Sequence, residues 1–127
     1  MDLREVKLRT LIVDDTVSYR KVFRESLQAL FPTMVIQEAG AGDEALQKVD
    51  AFRPELIFMD IRLPDANGLE LTEKIKTSYP DTKVSILTSY DIQEYRQAAI
   101  RCGADCFILK DSFNWEQIER LVKSFFE

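Results

Sequence analysis

Five short runs rich in β-branched or aliphatic residues, Thr10–Val13, Met34–Glu38, Leu56–Met59, Val84–Leu87 and Cys106–Leu109, alternate with stretches of helical spacing. This alternation is the tightest constraint on the fold. Each run is short enough to be a strand, and parallel neighbours must be joined by right-handed crossovers. Three runs are mostly apolar without alternation, as parallel strands covered on both faces are, and these should be central. The expectation is an α/β fold, a three-layer doubly wound sandwich around a five-stranded parallel sheet.

The intervening stretches supply helix signals. Tyr19, Val22, Phe23, Ser26, Leu27 and Leu30 form one apolar stripe that Pro32 ends. Asp43 is placed to cap a second helix holding Ala45, Leu46, Val49 and Phe52, and Gly68 precedes a third holding Leu69, Leu71, Thr72 and Ile75. Pro54 and Pro80 close these two. Asp91 with Glu94 has the form of a capping box, and Gly103 can close that fourth helix through a left-handed residue. Asn114 with Gln117 starts the last helix in the same way, with Trp115, Ile118, Leu121, Val122 and Phe125 as its buried face.

The 127 residues, 46% of them hydrophobic, fit one domain over residues 1–127. Net charge is −5, and neither sign gathers into a block, which disfavours direct nucleic-acid binding. Apolar runs reach four residues, against roughly 20 for a membrane span, and the N-terminus has no signal-type apolar region. A soluble cytoplasmic protein is the expectation. Cys102 and Cys106 read better as small buried hydrophobes than as a redox or metal pair. The chain has no histidine, so any phosphoryl or metal chemistry must rest on carboxylates.

Those carboxylates follow strands. Asp14-Asp15 ends the first, Asp60 the third, Thr88-Ser89 the fourth and Lys110 the fifth. With strand order 2-1-3-4-5, the first and third strands flank the point where the order reverses, and three acids converge there. Two unit charges 4 Å apart repel by about 4 kcal/mol at an effective dielectric near 20, so the cluster demands counter-ions. Mg²⁺, an oxygen-only ligand acceptor, together with the Lys110 ammonium just offsets three carboxylates. A carboxylate in such a place can attack phosphorus, with the metal, Lys110 and the Thr88 hydroxyl stabilising the incoming charge and no general base needed. Each piece alone reads as an ordinary turn or strand end. Their coincidence at four strand ends does not.

The same segments resemble response-regulator receiver domains over nearly the whole chain. Leu11-Ile12-Val13-Asp14-Asp15 is similar to the family's first strand and acidic pair. Asp60 followed by Leu63-Pro64 and Gly68 resembles its phosphoacceptor loop, and Thr88-Ser89 and Gly103 to Lys110 resemble its two remaining signatures. The resemblance implies the flavodoxin-like receiver fold, with Asp60 phosphorylated by a histidine kinase or phosphotransfer protein. It implies Mg²⁺, or Mn²⁺ in its place, held by Asp15, Asp60 and the backbone carbonyl of Arg62, with Asp14 acting through water. Thr88 and Lys110 would hold phosphoryl oxygens, and Thr88 with Phe107 would form the switch, although Phe107 also reads as a plain core aromatic. Arg62 and Tyr90 stand where the family tunes phosphoryl loss. Lys110 is followed by Asp111-Ser112 rather than proline, a variant familiar in receivers joined to helix-turn-helix output domains. Output would then come from a partner protein or from a segment outside this sequence, with phosphorylation-dependent homodimerisation a further route.

Two other readings use the same residues. An aspartyl-phosphate hydrolase usually carries a second aspartate two residues after its nucleophile, where this chain has Arg62. A receiver-fold adaptor would bind partners regardless of phosphorylation.

Overall fold

The computed structural model describes residues 2–5 and 7–126; Met1 and Glu127, the ends of the expected 1–127 domain, lie outside them. Strands β1 (Arg9–Val13), β2 (Val35–Ala39), β3 (Leu56–Met59), β4 (Lys83–Thr88) and β5 (Cys106–Leu109) alternate with helices α1 (Val17–Leu30), α2 (Gly42–Phe52), α3 (Gly68–Ser78), α4 (Gln93–Arg101) and α5 (Trp115–Phe126). All strand pairs are parallel, in the order β2-β1-β3-β4-β5. No helix among the described residues is long and apolar enough to cross a membrane.

Parallel pairing explains the burial pattern. Interior strands are covered on both faces and read as continuous apolar runs, which is the character of β1, β3 and β4; the edge strands β2 and β5 are only partly buried. One face packs Leu11, Val13, Ile57, Met59, Val84 and Ile86 against α2, α3 and α4. The other packs Ile12, Phe58, Leu87 and Ile108 against α1 and α5, where the Phe23 ring lies 5.0 Å from Phe58 and 5.3 Å from Trp115. These are the three expected layers. β3 and β5 have the expected bounds, whereas β1 and β4 extend further and β2 is displaced by one residue.

Several local expectations are corrected by tertiary contacts. Val22 is 62% exposed, so the buried stripe of α1 is carried by Phe23 and Leu27. Asp43 does not cap α2; it lies in the first turn, and the carboxylate of Asp65, far off in sequence, accepts from the Gly42 and Asp43 N–H groups instead. These bonds hold the Asp65 carboxyl below the ordinary range. The Asp91–Glu94 box does not form either. The N-cap of α4 is Ile92, and Asp91 pairs with Arg96 at 2.9 Å. By contrast Asn114 and Gln117 make the reciprocal bonds of a capping box, both 3.0 Å, and Gly103 adopts φ +90° just beyond α4. Both cysteines are free.

One close approach ties the fold to the strand ends. A Cβ at Gly68 would overlap the backbone carbonyl oxygen of Asp60, while the Gly68 N–H donates to the Ile61 carbonyl at 2.7 Å. The start of α3 is thereby pressed onto the chain leaving β3. Gly68→Ala is expected to cost roughly 1–3 kcal/mol of stability, since backbone and not a movable side chain must yield, as read from urea denaturation midpoints.

Candidate functional site

The carboxyl ends of β1 and β3 are adjacent because these strands pair directly, Val13 opposite Met59. Asp14 and Asp60 therefore leave the sheet side by side, and the Asp60 N–H still donates to the Val13 carbonyl at 2.9 Å. Asp14 is 1% and Asp60 7% exposed, while Asp15 is open to solvent. Carboxylate oxygens of all three lie within 4.8 Å of one another.

Each buried acid is held by backbone and by one shared cation. Asp14 Oδ1 accepts from the Thr16 N–H at 2.8 Å, and Asp60 Oδ1 from the Ile61 N–H at 2.8 Å. Lys110 Nζ, carried in from the end of β5, lies 2.5 Å from Asp14 Oδ2 and 3.2 Å from Asp60 Oδ2. The ammonium also sits 4.5 Å from the centroid of the Tyr19 ring, whose electron-rich face favours a cation.

Charge states follow from these contacts. Burial pushes the Asp60 carboxyl above its ordinary value; the Lys110 ammonium opposes the rise and the Asp14 carboxylate adds to it. Burial works against the Lys110 charge, but the hydrogen bond to Asp14 and the nearby Asp60 outweigh it, so the ammonium holds its proton more tightly than an ordinary lysine. Burial, and then the negative charges of Asp14, Asp111 and Asp60, push the Tyr19 phenol up.

Four of the residues singled out from sequence, Asp14, Asp15, Asp60 and Lys110, are thus brought together. Thr88 is fully buried at the end of β4, where its hydroxyl accepts from the Tyr90 N–H at 3.3 Å. Arg62 pairs through its backbone with Asn67. Its guanidinium stacks 3.8 Å from the Tyr90 ring centroid and donates to the Tyr95 hydroxyl at 3.3 Å. Phe107 is half-buried on β5 beneath the Arg96 guanidinium, 4.7 Å from its ring centroid. Sequence reading missed Tyr19, Tyr95 and Arg20. Tyr19 was assigned to the core stripe of α1; the other two carried no local signal.

A family model described as a response regulator receiver domain matches residues 10–123. The chain belongs to the response regulator receiver family. It is 34% identical over 115 residues to the uncharacterized transcriptional regulatory protein YxjL of Bacillus subtilis, covering 91% of this chain and 53% of that protein. It is 37% identical over 116 residues to the DNA-binding transcriptional activator DevR/DosR of Mycobacterium tuberculosis, with the same coverage of 91% and 53%. The receiver chain thus spans about half the length of these curated relatives. Among solved structures, the response regulator TrrA of Thermotoga maritima in complex with Mg²⁺–BeF superposes with a TM-score of 0.81 at 32% identity, covering 94% of this chain and 99% of that one.

The raised carboxyl of Asp60 has a consequence for stability. A carboxyl that binds its proton more tightly folded than unfolded favours the fold in acid and weakens it as pH rises past the unfolded value, about 3.9. In metal-free buffer, Asp60→Asn is therefore expected to be more stable than the parent at pH 7 by roughly 1 kcal/mol, the scale of one screened charge pair. The gain should vanish below about pH 4, as read from urea midpoints across pH.

Proposed function

We propose that residues 1–127 are a single receiver domain in which Asp60 accepts a phosphoryl group from a histidine kinase or phosphotransfer protein in a Mg²⁺-dependent reaction. The observation that carries this reading is the convergence of three carboxylates within 4.8 Å of one another with a single lysine between the two buried ones. Hard oxygen donors at one point suit Mg²⁺ or Mn²⁺, and lysine alone does not offset three negative charges. Asp15 and Asp60 would hold the ion with the backbone carbonyl of Arg62, and Asp14 would act through a bound water. When bound, the ion supplies positive charge to the acids and to the phosphoryl oxygens.

The chain's own residues do the rest. A carboxylate oxygen of Asp60 attacks phosphorus, a P–O bond forms, and the bond from phosphorus to the donor breaks with its electron pair leaving on the donor. The ammonium of Lys110 already lies between Asp14 and Asp60, so charge arriving on the phosphoryl oxygens meets a fixed cation. The Thr88 hydroxyl accepts from the Tyr90 N–H and keeps its own proton for a phosphoryl oxygen. The domain catalyses no reaction beyond its own phosphorylation and dephosphorylation.

Its output is a change of binding surface. Thr88 and Phe107 would carry the change toward α4, β5 and α5, where a partner protein, a second copy or an attached output domain would read it. The relatives include a DNA-binding transcriptional activator, which supports transcription control in the cytoplasm as the setting, with DNA contacted by another domain and not by this one.

Incubation with Mg²⁺ and acetyl phosphate should add the mass of one phosphoryl group, read on the intact protein, and chelation with EDTA should prevent it. Asp60→Asn should gain nothing. Equal labelling of Asp60→Asn would overturn the assignment, and partner binding indifferent to beryllium fluoride would favour the adaptor reading.

A further inference from the structure

The acidic pair sits on the short segment between β1 and α1, and something must hold that segment against the mutual repulsion of its charges. Asp14 and Asp60 have backbone donors and Lys110. Asp15 is exposed and is placed by its backbone, so the geometry of the peptide joining it to Asp14 decides where its carboxylate goes.

We propose that Arg20 is a positioning residue for this acidic pair, clamping the Asp14–Asp15 peptide in the conformation that presents both carboxylates to the cation. The proposal rests on reading the cluster as a Mg²⁺-dependent phosphoacceptor site. Arg20 lies in the first turn of α1, where side chains lean back toward the helix N-terminus and hence over this segment. Its Nη1 donates to the Asp14 backbone carbonyl at 2.5 Å and its Nε to Glu38 Oε1 at 2.9 Å. The side chain is only 16% exposed, against 43% for Arg24 one turn on.

The guanidinium is itself held from the far side. Glu38 Oε2 accepts from Arg24 at 2.5 Å, and the Glu38 carbonyl accepts from Lys48, so the acid that anchors Arg20 is fixed at both ends. Gly40, just past β2, leaves the room: a Cβ there would come within 3.2 Å of Arg20 Nη1. The Asp14 N–H donates to the Ala39 carbonyl at 3.0 Å. The Asp14 backbone is thus gripped on both sides of its Cα, at the N–H by the edge strand and at the carbonyl by Arg20.

Position and charge make opposite demands, which gives the test its sign. A cation beside the acids repels a second cation, so if Arg20 acted by charge alone its removal would tighten Mg²⁺ binding. Glu38 is shared with Arg24 and offsets only part of that field, so weaker binding on removal of Arg20 would report the fork that holds a carbonyl and a carboxylate together. Removing the fork lets the segment relax away from Asp60 and weakens binding.

The test is isothermal titration of MgCl₂ into the whole 127-residue protein and its variants, at a temperature where urea curves show each one folded. Arg20→Met is expected to weaken the Mg²⁺ Kd about tenfold, equivalent to about 1.4 kcal/mol, and Arg20→Lys about threefold, since one ammonium keeps a single partner. A role confined to stability would lower the urea midpoint and leave Kd unmoved. If the parent does not bind Mg²⁺, the reading of the site fails. If the parent binds and both Arg20 variants bind equally or more tightly, the positioning role is overturned. Should Arg20→Met not fold, Arg20→Lys decides by the same comparison.

Discussion

Two carboxylates removed from water at the mouth of an apolar sheet are the burden around which this domain is arranged, and the Lys110 ammonium between them is what makes that burden tolerable. Ion burial costs several kcal/mol per charge unless the ion is paired and its remaining hydrogen-bond sites are filled. Here Asp14 and Asp60 each take one backbone N–H and share one lysine, so every contact needed for neutralisation also fixes direction. The lysine departs from β5 while its partners leave β1 and β3. With neighbouring strands roughly 4.8 Å apart, it must reach across the end of β4 to meet them. The strand order therefore matters chemically, because any arrangement that moved β5 away or separated β1 from β3 would leave an uncompensated charge.

The pairing is still incomplete. One ammonium faces three carboxylates, and burial first, with the Asp14 charge adding to it, leaves the Asp60 carboxyl raised despite Lys110. A protein optimised only for stability would not keep it. Under the proposed function, an incoming cation and a phosphoryl group would meet a site whose donors are already oriented, leaving little reorganisation for the reaction itself. The packing beneath supports this rigidity: Val13 and Met59, the last residues before the acids on β1 and β3, are buried to 1% or less, and Gly68 lets α3 press on the Asp60 backbone.

What could be read beforehand divides by range. The sheet was legible because continuous apolar runs such as Leu56–Met59 report burial on two faces, and the acid cluster because residue type coincided with strand end at four places. Asn114 with Gln117 was legible because both partners lie within one turn. The Asp91–Glu94 box had the same pattern and failed: Asp91 gains an ion pair with Arg96 instead. Asp43 lost its capping role to Asp65, 22 residues later, and Val22 is exposed although it sits beside Phe23 on the helix. Arg20 and Tyr95 were invisible for the same reason. Their partners Glu38, Asp14 and Arg62 belong to other elements, and no spacing along the chain marks a contact made only after the sheet has assembled.

Tyr95 bears on how the site is coupled to its surroundings. Arg62, two residues beyond Asp60, lies against Tyr90 from the loop after β4 and donates to Tyr95 on α4. Tyr90 in turn donates its N–H to the Thr88 hydroxyl. The end of β3, the end of β4 and the first turn of α4 are thereby joined outside the acid cluster, and the Arg62 hydrogen bonds to Tyr95 are exposed and so individually weak. A cation–π contact at the surface is worth about 0.5–1 kcal/mol and a neutral hydrogen bond about as much. Such a linkage is strong enough to favour one placement of α4 and weak enough to be exchanged at small cost; under the proposed phosphorylation of Asp60, the equilibrium would move only by the difference in free energy between its two states. The buried contacts of Lys110 could not serve in this way. Breaking them leaves a charge unpaired, which keeps the chemistry fixed while the aromatic and arginine contacts around it can change.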